Sequence, residues 1–265
     1  VSAATVRLTG PAQAAVEAHG DAVTFHDVYD AVGAAIYHDL ADRDRHEVSE
    51  LATQLRGVRG PVLELAAGSG RLTIPLLVLG LEVVALDLSA SMLGLLDSRL
   101  EALPPRLSRR CRTVVGDMRS FDLGRTFDAI VLGTTSVSLL DADGRQELFA
   151  AVARHLAPGG RFLLSTVQRS AGANGPGEEL TGASGRRYTL FEDWSGSRTE
   201  CTVVIVPTPD TDGRVQVCTS VVTVVPRGTL EAELHQHGLD VLATHELAPA
   251  GAGRPAVLLE AGVRP

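Results

Sequence analysis

The sequence predicts an α/β fold, a seven-stranded and mostly parallel sheet with an antiparallel β insertion after its fifth strand. Three observations predict it. From Gly60 to Thr166 short apolar runs alternate with helical patterns, the rhythm of a parallel sheet covered by crossover helices. Between Arg187 and Val225, three strand-like runs follow one another with no helix between them. A helical pattern and two further apolar runs then close the chain.

The elements follow in order. Residues up to about Val23 are rich in Ala and Gly and read as a frayed or weakly helical arm. From Phe25 to Leu55 the pattern is helical, with Val28, Ala31, Ala35 and Ile36 and then Val48, Leu51 and Leu55 at helical spacing. Asp39 to Glu47 is densely charged and reads as exposed. Val62 to Leu65 is a strand, Gly68-Ser69-Gly70 a tight turn, and Arg71 to Leu79 a helix. Glu82 to Leu86 is the second strand, and Ser89 caps a helix that stops before Pro104-Pro105. Arg112 to Val115, Phe127 to Leu132 and Arg161 to Thr166 supply strands three to five, with a helix over Asp143 to Leu156. Ser170 to Gly185 is Gly-rich and loop-like. The turn at Asp210-Thr211-Asp212-Gly213 then marks a hairpin. Thr229 to His237 is the last helix, and Asp240 to Leu247 and Ala256 to Ala261 are the last strands.

Composition narrows the function. Over 265 residues there are 24 basic and 32 acidic side chains, a formal net charge of −8, which argues against a nucleic-acid partner. The longest apolar stretch, Ile74 to Ala85, is broken by Pro75, Gly80 and Glu82, so no membrane span is expected. No charged-then-apolar leader is read at Val1-Ser2-Ala3-Ala4, and three cysteines imply no disulfide framework. The expectation is a cytoplasmic protein. His235 and His237 are two apart and point apart on a helix, so no metal site is expected.

The strongest local signal is Glu64-Leu65-Ala66-Ala67-Gly68-Ser69-Gly70-Arg71, between a strand and a helix. A dinucleotide fingerprint asks for a small residue where this chain has Thr73. Glu64 would repel a pyrophosphate, yet it suits the ammonium of S-adenosyl-L-methionine (SAM). Asp87, ending the second strand, is placed for both ribose hydroxyls. Gly116-Asp117-Met118 follows the third strand, where Asp117 would bond an adenine edge and Met118 pack on it. Arg71 either touches the SAM carboxylate or merely caps its neighbourhood.

With these residues in place, positions 60–166 resemble the Rossmann-like core of class I SAM-dependent methyltransferases. The family's acidic-x-Gly-x-Gly-x-Gly motif stands here as Glu64, Ala66, Gly68 and Gly70, with Ala66 replacing the first glycine. Tyr29 to Leu40, Gly60 to Gly68, Arg109-Arg110-Cys111, Gly116-Asp117-Met118 and Ser184-Gly185-Arg186-Arg187-Tyr188 further resemble the glycopeptide-antibiotic N-methyltransferases. Methyltransferases of daptide-type ribosomal peptide pathways are similar. The resemblance implies SAM as cofactor, S-adenosyl-L-homocysteine (SAH) as product, a terminal amine of a peptide-derived natural product as acceptor, and a homodimer. It adds Leu65, Leu88, Met92 and Thr134 to the cofactor set, with Tyr29 and Tyr37 either closing over the methionine end or only packing. Acceptor candidates are Thr135, Ser136 and Ser138 after the fourth strand. Arg186, Arg187 and Tyr188 join them, although the two arginines read rather more readily as lid surface. No residue is read as a general base. The implied division is a helical segment over 1–59 covering the cofactor site, a core over 60–168, a lid over 169–226 and a closing segment over 227–265. A small-molecule O- or N-methyltransferase and a catalytically silent SAM-binding scaffold are the alternatives.

Overall fold

In a computed structural model the described residues are 7–41, 47–134, 136–167, 174–194, 199–250 and 254–264. The chain divides into two units, one of residues 1–44 with 171–224 and one of residues 45–170 with 225–265.

In the smaller unit, α1 (Gly10–Glu17) precedes β1 (Val23–Asp27) and α2 (Ala31–Ala41), and β7 (Glu178–Thr181), β8 (Arg187–Asp193), β9 (Glu200–Pro207) and β10 (Val215–Thr223) follow much later in the chain. They form one sheet in the order β1-β10-β9-β8-β7. Val16 of α1 packs on one face with Phe191, Val204 and Val217, and Ile36 of α2 packs on the other with Tyr188, Ile205 and Cys218.

Here the structure corrects the sequence reading. Phe25 does not begin a helix: it sits in a strand that pairs parallel with β10, Val23 opposite Val215 and Asp27 opposite Thr219. The inserted sheet is therefore not wholly antiparallel. Local spacing misses this strand because it gains its partner from the far end of the chain. The helix starts later because Asp30 caps it, its Oδ1 accepting the N–H groups of Val32 and Gly33 at 2.8 Å each. The Gly-rich stretch before Gly185 also holds a strand, β7, which pairs antiparallel with β8.

The Ser184–Tyr188 run serves this unit as a clasp. Tyr188 is buried and its hydroxyl donates to Asp39 Oδ2 at 2.6 Å; the Ser184 N–H and hydroxyl donate to the same carboxylate at 2.6 and 2.8 Å. A Cβ on Gly182 would fall 2.1 Å from Asp39 Oδ2, so only glycine lets β7 and its turn close on α2. Burial pushes the Asp39 carboxyl up, but these hydrogen bonds outweigh it and hold it below the usual range.

The larger unit opens with α3 (Val48–Gln54). It continues through β2 (Val62–Leu65), α4 (Thr73–Val78), β3 (Val83–Asp87), α5 (Ala90–Glu101), α6 (Pro105–Ser108), β4 (Cys111–Val115) and β5 (Phe127–Leu132). The unit ends with α7 (Ala142–His155), β6 (Leu156–Val167), α8 (Arg227–Gln236), β11 (Leu239–Ala250) and β12 (Arg254–Val263). The seven strands stand in the order β11-β12-β6-β5-β2-β3-β4. β4, β3, β2, β5 and β6 are parallel, and β12 runs antiparallel to both β6 and β11. Leu148 and Phe149 of α7 and Leu230 of α8 fill one face; Leu51, Leu77 and Leu96 of α3, α4 and α5 fill the other. The strand order reverses between β2 and β5, so the loops after them open a crevice at the carboxyl edge. None of the described helices is long and apolar enough to cross a membrane.

Tyr188→Phe is expected to cost about 1 kcal/mol and Asp39→Ala about 2 kcal/mol of stability. Each should appear as a lower urea midpoint with an unchanged slope.

Candidate active site

β2 ends fully buried, and the chain must then turn sharply to reach α4. Ala66, Gly68 and Gly70 all take positive φ, at 51°, 56° and 85°. The two glycines do different work. A Cβ on Gly70 would lie 2.4 Å from Leu96 Cδ1, so that glycine lets α5 pack against the turn. A Cβ on Gly68 would meet no atom within 4 Å. The turn is thus open on that side, a backbone cradle that a ligand can approach. Ala66 adopts the same left-handed conformation without glycine's freedom, so the replaced glycine of the motif is paid in strain.

Asp87, at the end of β3, stands directly beside this cradle. Its Oδ2 accepts the Gly68 N–H at 2.7 Å and its Oδ1 the Ser89 N–H at 2.8 Å. Burial raises its carboxyl, and those two donors oppose the rise. Ser89 caps α5 through the Met92 N–H at 3.3 Å, as the sequence implies. Leu88, 70% exposed, and Val115, 61% exposed, are apolar side chains left open after β3 and at the end of β4, a surface suited to a flat aromatic group.

Glu64 is 2% exposed, and the Thr73 hydroxyl donates to its Oε2 at 2.6 Å. Burial pushes this carboxyl up to about 8, against the pull of Thr73 and Arg71. A buried carboxyl of that kind is receptive to an ammonium, whose charge would favour the ionised form. Thr73, where a dinucleotide fold wants a small residue, is thereby the hydrogen-bond partner of the acid.

Arg71 is buried, and its guanidinium pairs with Glu47 and the Thr134 hydroxyl. Glu47 ends the charged stretch that the sequence marks as exposed, yet its side chain is wholly buried. The signal was present: Glu47, Leu51 and Leu55 lie four apart, so the acid extends the buried stripe of α3. Thr134, after β5, takes φ +57°, and its N–H donates to both Glu47 oxygens at 2.8 and 3.1 Å. Ser136 and Ser138 follow in a buried turn, the Ser138 hydroxyl without a protein partner, while Thr135 lies outside the described residues.

The other expected residues stand as follows. Leu65 and Met92 are core side chains, each 1% exposed. Asp117 is engaged by Arg119, whose Nε reaches Oδ1 at 3.0 Å and whose Nη2 reaches Oδ2 at 2.6 Å; that guanidinium holds the carboxyl below the usual range. Arg119 was not foreseen. Met118 packs on the sheet's core, and the Gly116 N–H donates to the Asp87 carbonyl at 2.9 Å. Tyr29, Tyr37, Arg186, Arg187 and Tyr188 belong to the smaller unit. There the rings of Tyr29 and Tyr37 meet edge-on with centroids 6.0 Å apart. Arg186 donates to the Thr208 carbonyl at 2.7 Å, and Arg187 is exposed.

Ala66→Gly should relieve the strained turn and raise stability by about 0.5 kcal/mol, the relief being partly offset by greater freedom in the unfolded chain; thermal unfolding reads it. Glu64 titrates near 4.5 when unfolded and at about 8 when folded. Between those values the folded protein keeps a proton that the unfolded chain has lost, so this group's contribution to stability falls as pH rises through the window. Binding of SAM at pH 7 should therefore release roughly one proton, and Glu64→Gln should abolish the release. Calorimetric titration in two buffers of different ionisation enthalpy measures it.

Residues 62–160 match the family model described as a methyltransferase domain. The chain is 31% identical over 135 residues to dTDP-4-amino-2,3,4,6-tetradeoxy-D-glucose N,N-dimethyltransferase of Saccharopolyspora spinosa, covering 51% of each protein. It is 33% identical over 104 residues to the cypemycin N-terminal methyltransferase of a Streptomyces species, covering 39% of this chain and 40% of that one. The chain thus spans about half the length, or less, of the curated relatives it matches. The solved structure of the glycopeptide N-methyltransferase MtfA with sinefungin is 36% identical, with 97% of this chain and 98% of that one covered and a TM-score of 0.70; MtfA structures with SAM and SAH match as well. A methyltransferase-domain match set within a likeness that runs from end to end of a solved methyltransferase leaves one conclusion: the chain belongs to the class I SAM-dependent methyltransferases, with SAM as its cofactor.

Proposed function

We propose that this protein is an N-methyltransferase and that its acceptor is the terminal amine of a peptide natural product, a glycopeptide or a daptide-type ribosomal peptide. One observation carries the reading: the likeness to a glycopeptide N-methyltransferase extends over 97% of the chain, well beyond the cofactor core. The SAM sulfonium supplies an activated methyl group. Toward it, Glu64 offers a carboxylate for the ammonium, Asp87 a carboxylate for the ribose hydroxyls, and the open side of Gly68 a close approach to backbone. The turn holding Ser136 and Ser138 follows β5 at the same sheet edge, and the buried Ser138 hydroxyl is suited to a polar group of the acceptor. No side chain is assigned as general base: the amine arrives neutral, and the rate rests on alignment and exclusion of water. The proposal includes a cytoplasmic location and a homodimer, and no nucleic acid or membrane as partner.

A second reading, methylation of an amino-sugar nucleotide, is favoured by the likeness to the S. spinosa sugar N,N-dimethyltransferase.

Incubation with SAM and two panels, peptides with free terminal amines and dTDP-linked amino sugars, is expected to give gains of one or two methyl masses on peptide terminal nitrogens only. Methylation confined to the sugars would replace the first reading by the second. No mass gain on either, with SAH binding intact, would favour non-amine acceptors or a silent scaffold. Asp87→Ala should weaken SAH binding by about tenfold or more, since it removes charge-assisted bonds to ribose.

A further inference from the structure

Glu47 lies outside the cofactor motif, on the turn that begins α3, and its wholly buried carboxylate is heavily committed. It accepts the Thr134 N–H at 2.8 and 3.1 Å, the Thr134 hydroxyl at 3.3 Å and the Arg71 guanidinium. The Thr134 hydroxyl in turn accepts from the same guanidinium, so the three side chains close a triangle. A Cβ on Gly133 would lie 3.2 Å from both Glu47 oxygens and 2.3 Å from Leu72 Cδ1, so the chain after β5 is drawn down onto the acid. Arg71 is the first residue past the Gly68–Gly70 turn, and Thr134 follows β5 by two positions. A single carboxylate thus ties together the ends of the two neighbouring strands between which the sheet order reverses.

We propose that Glu47 is a positioning residue for the methyl donor. It holds Arg71 in place beside the cofactor turn and keeps Thr134 in its left-handed conformation, so the crevice is formed before SAM enters. Without Glu47 the buried guanidinium would lose the Glu47 carboxylate, and the Thr134 N–H would lose the acceptor that Glu47 supplies. The loop after β5 would then relax away from the turn, and part of the binding free energy would go into restoring it. The inference rests on the SAM assignment and adds to it a residue that touches neither donor nor acceptor.

Glu47→Gln preserves the side chain's shape and an oxygen for Thr134 while removing the charge; Glu47→Ala removes both. Leu148→Ala, in the core on the opposite face of the sheet, serves as a destabilised control. SAH affinity is read by calorimetry and stability by thermal unfolding on the same preparations. Glu47→Gln is expected to weaken SAH binding about tenfold and Glu47→Ala further, with Leu148→Ala within about twofold of the parent protein despite a lower melting temperature. Should Glu47→Ala not fold, Glu47→Gln carries the test alone. SAH affinity within twofold of the parent for Glu47→Gln overturns the proposal and leaves the SAM assignment standing. A parent protein that does not bind SAH overturns both. Equal weakening by Leu148→Ala assigns Glu47 a merely structural role and also overturns it.

Discussion

Three ionisable side chains withdrawn from water at one end of the sheet constrain much of what surrounds them. Glu64, Arg71 and Glu47 form an acid–base–acid series in which Glu64 keeps its proton up to about pH 8, and each is nearly or wholly buried. A lone buried charge is costly, whereas the Arg71–Glu47 pair can be held if the remaining polar atoms also find partners. Those partners are specific: Thr73 for Glu64, and the Thr134 backbone and hydroxyl for Glu47 and Arg71. The identities at the start of α4 and after β5 follow from this need. Of the two carboxyls Glu64 remains under-compensated, and it is the one that an incoming cation would satisfy. Under the proposed function this electrostatic deficit would meet the positive charge of the donor.

The topology supplies the location. Parallel strands deliver their carboxyl ends to one edge, and the reversal of order between β2 and β5 parts the connecting loops there. Asp87 then couples the edge laterally: by accepting from Gly68 and Ser89 at once, it fixes the first turn to the start of α5. A substitution at either point is felt at the other, which makes the cradle a property of two loops rather than of the glycines alone.

Much of this was legible in the residues. The Gly68–Gly70 turn, the Ser89 cap and the terminal Asp87 are local features whose chemistry is written within a few positions, and the mostly parallel sheet follows from the alternation of patterns. What escaped was non-local. β1 has an ordinary local sequence and becomes a strand only through β10; β7 hides among glycines because its partner β8 defines it. Glu47 sits in a run of charges, and only its fourfold spacing with Leu51 and Leu55 betrays a buried position. Tyr188 and Arg186 were weighed as acceptor contacts because the motif is unusual, yet their partners are Asp39 and the Thr208 carbonyl. Distinctive sequence can record a demanding fold as readily as a binding role.

The parallel pairing of β1 with β10 also sets an order of events at the ribosome. Val23 meets Val215, so the first strand of the smaller unit waits while the chain in between is synthesised. At ordinary rates of about 5–20 residues per second, the delay is roughly 10–40 s. During that time the sheet strands of the larger unit from β2 to β6 are already available to one another, whereas β1 has only solvent or a chaperone. The larger unit's central strands can therefore assemble first, with the split unit closing late. Until β10 arrives, the unpaired backbone of β1 is open to association with other strands.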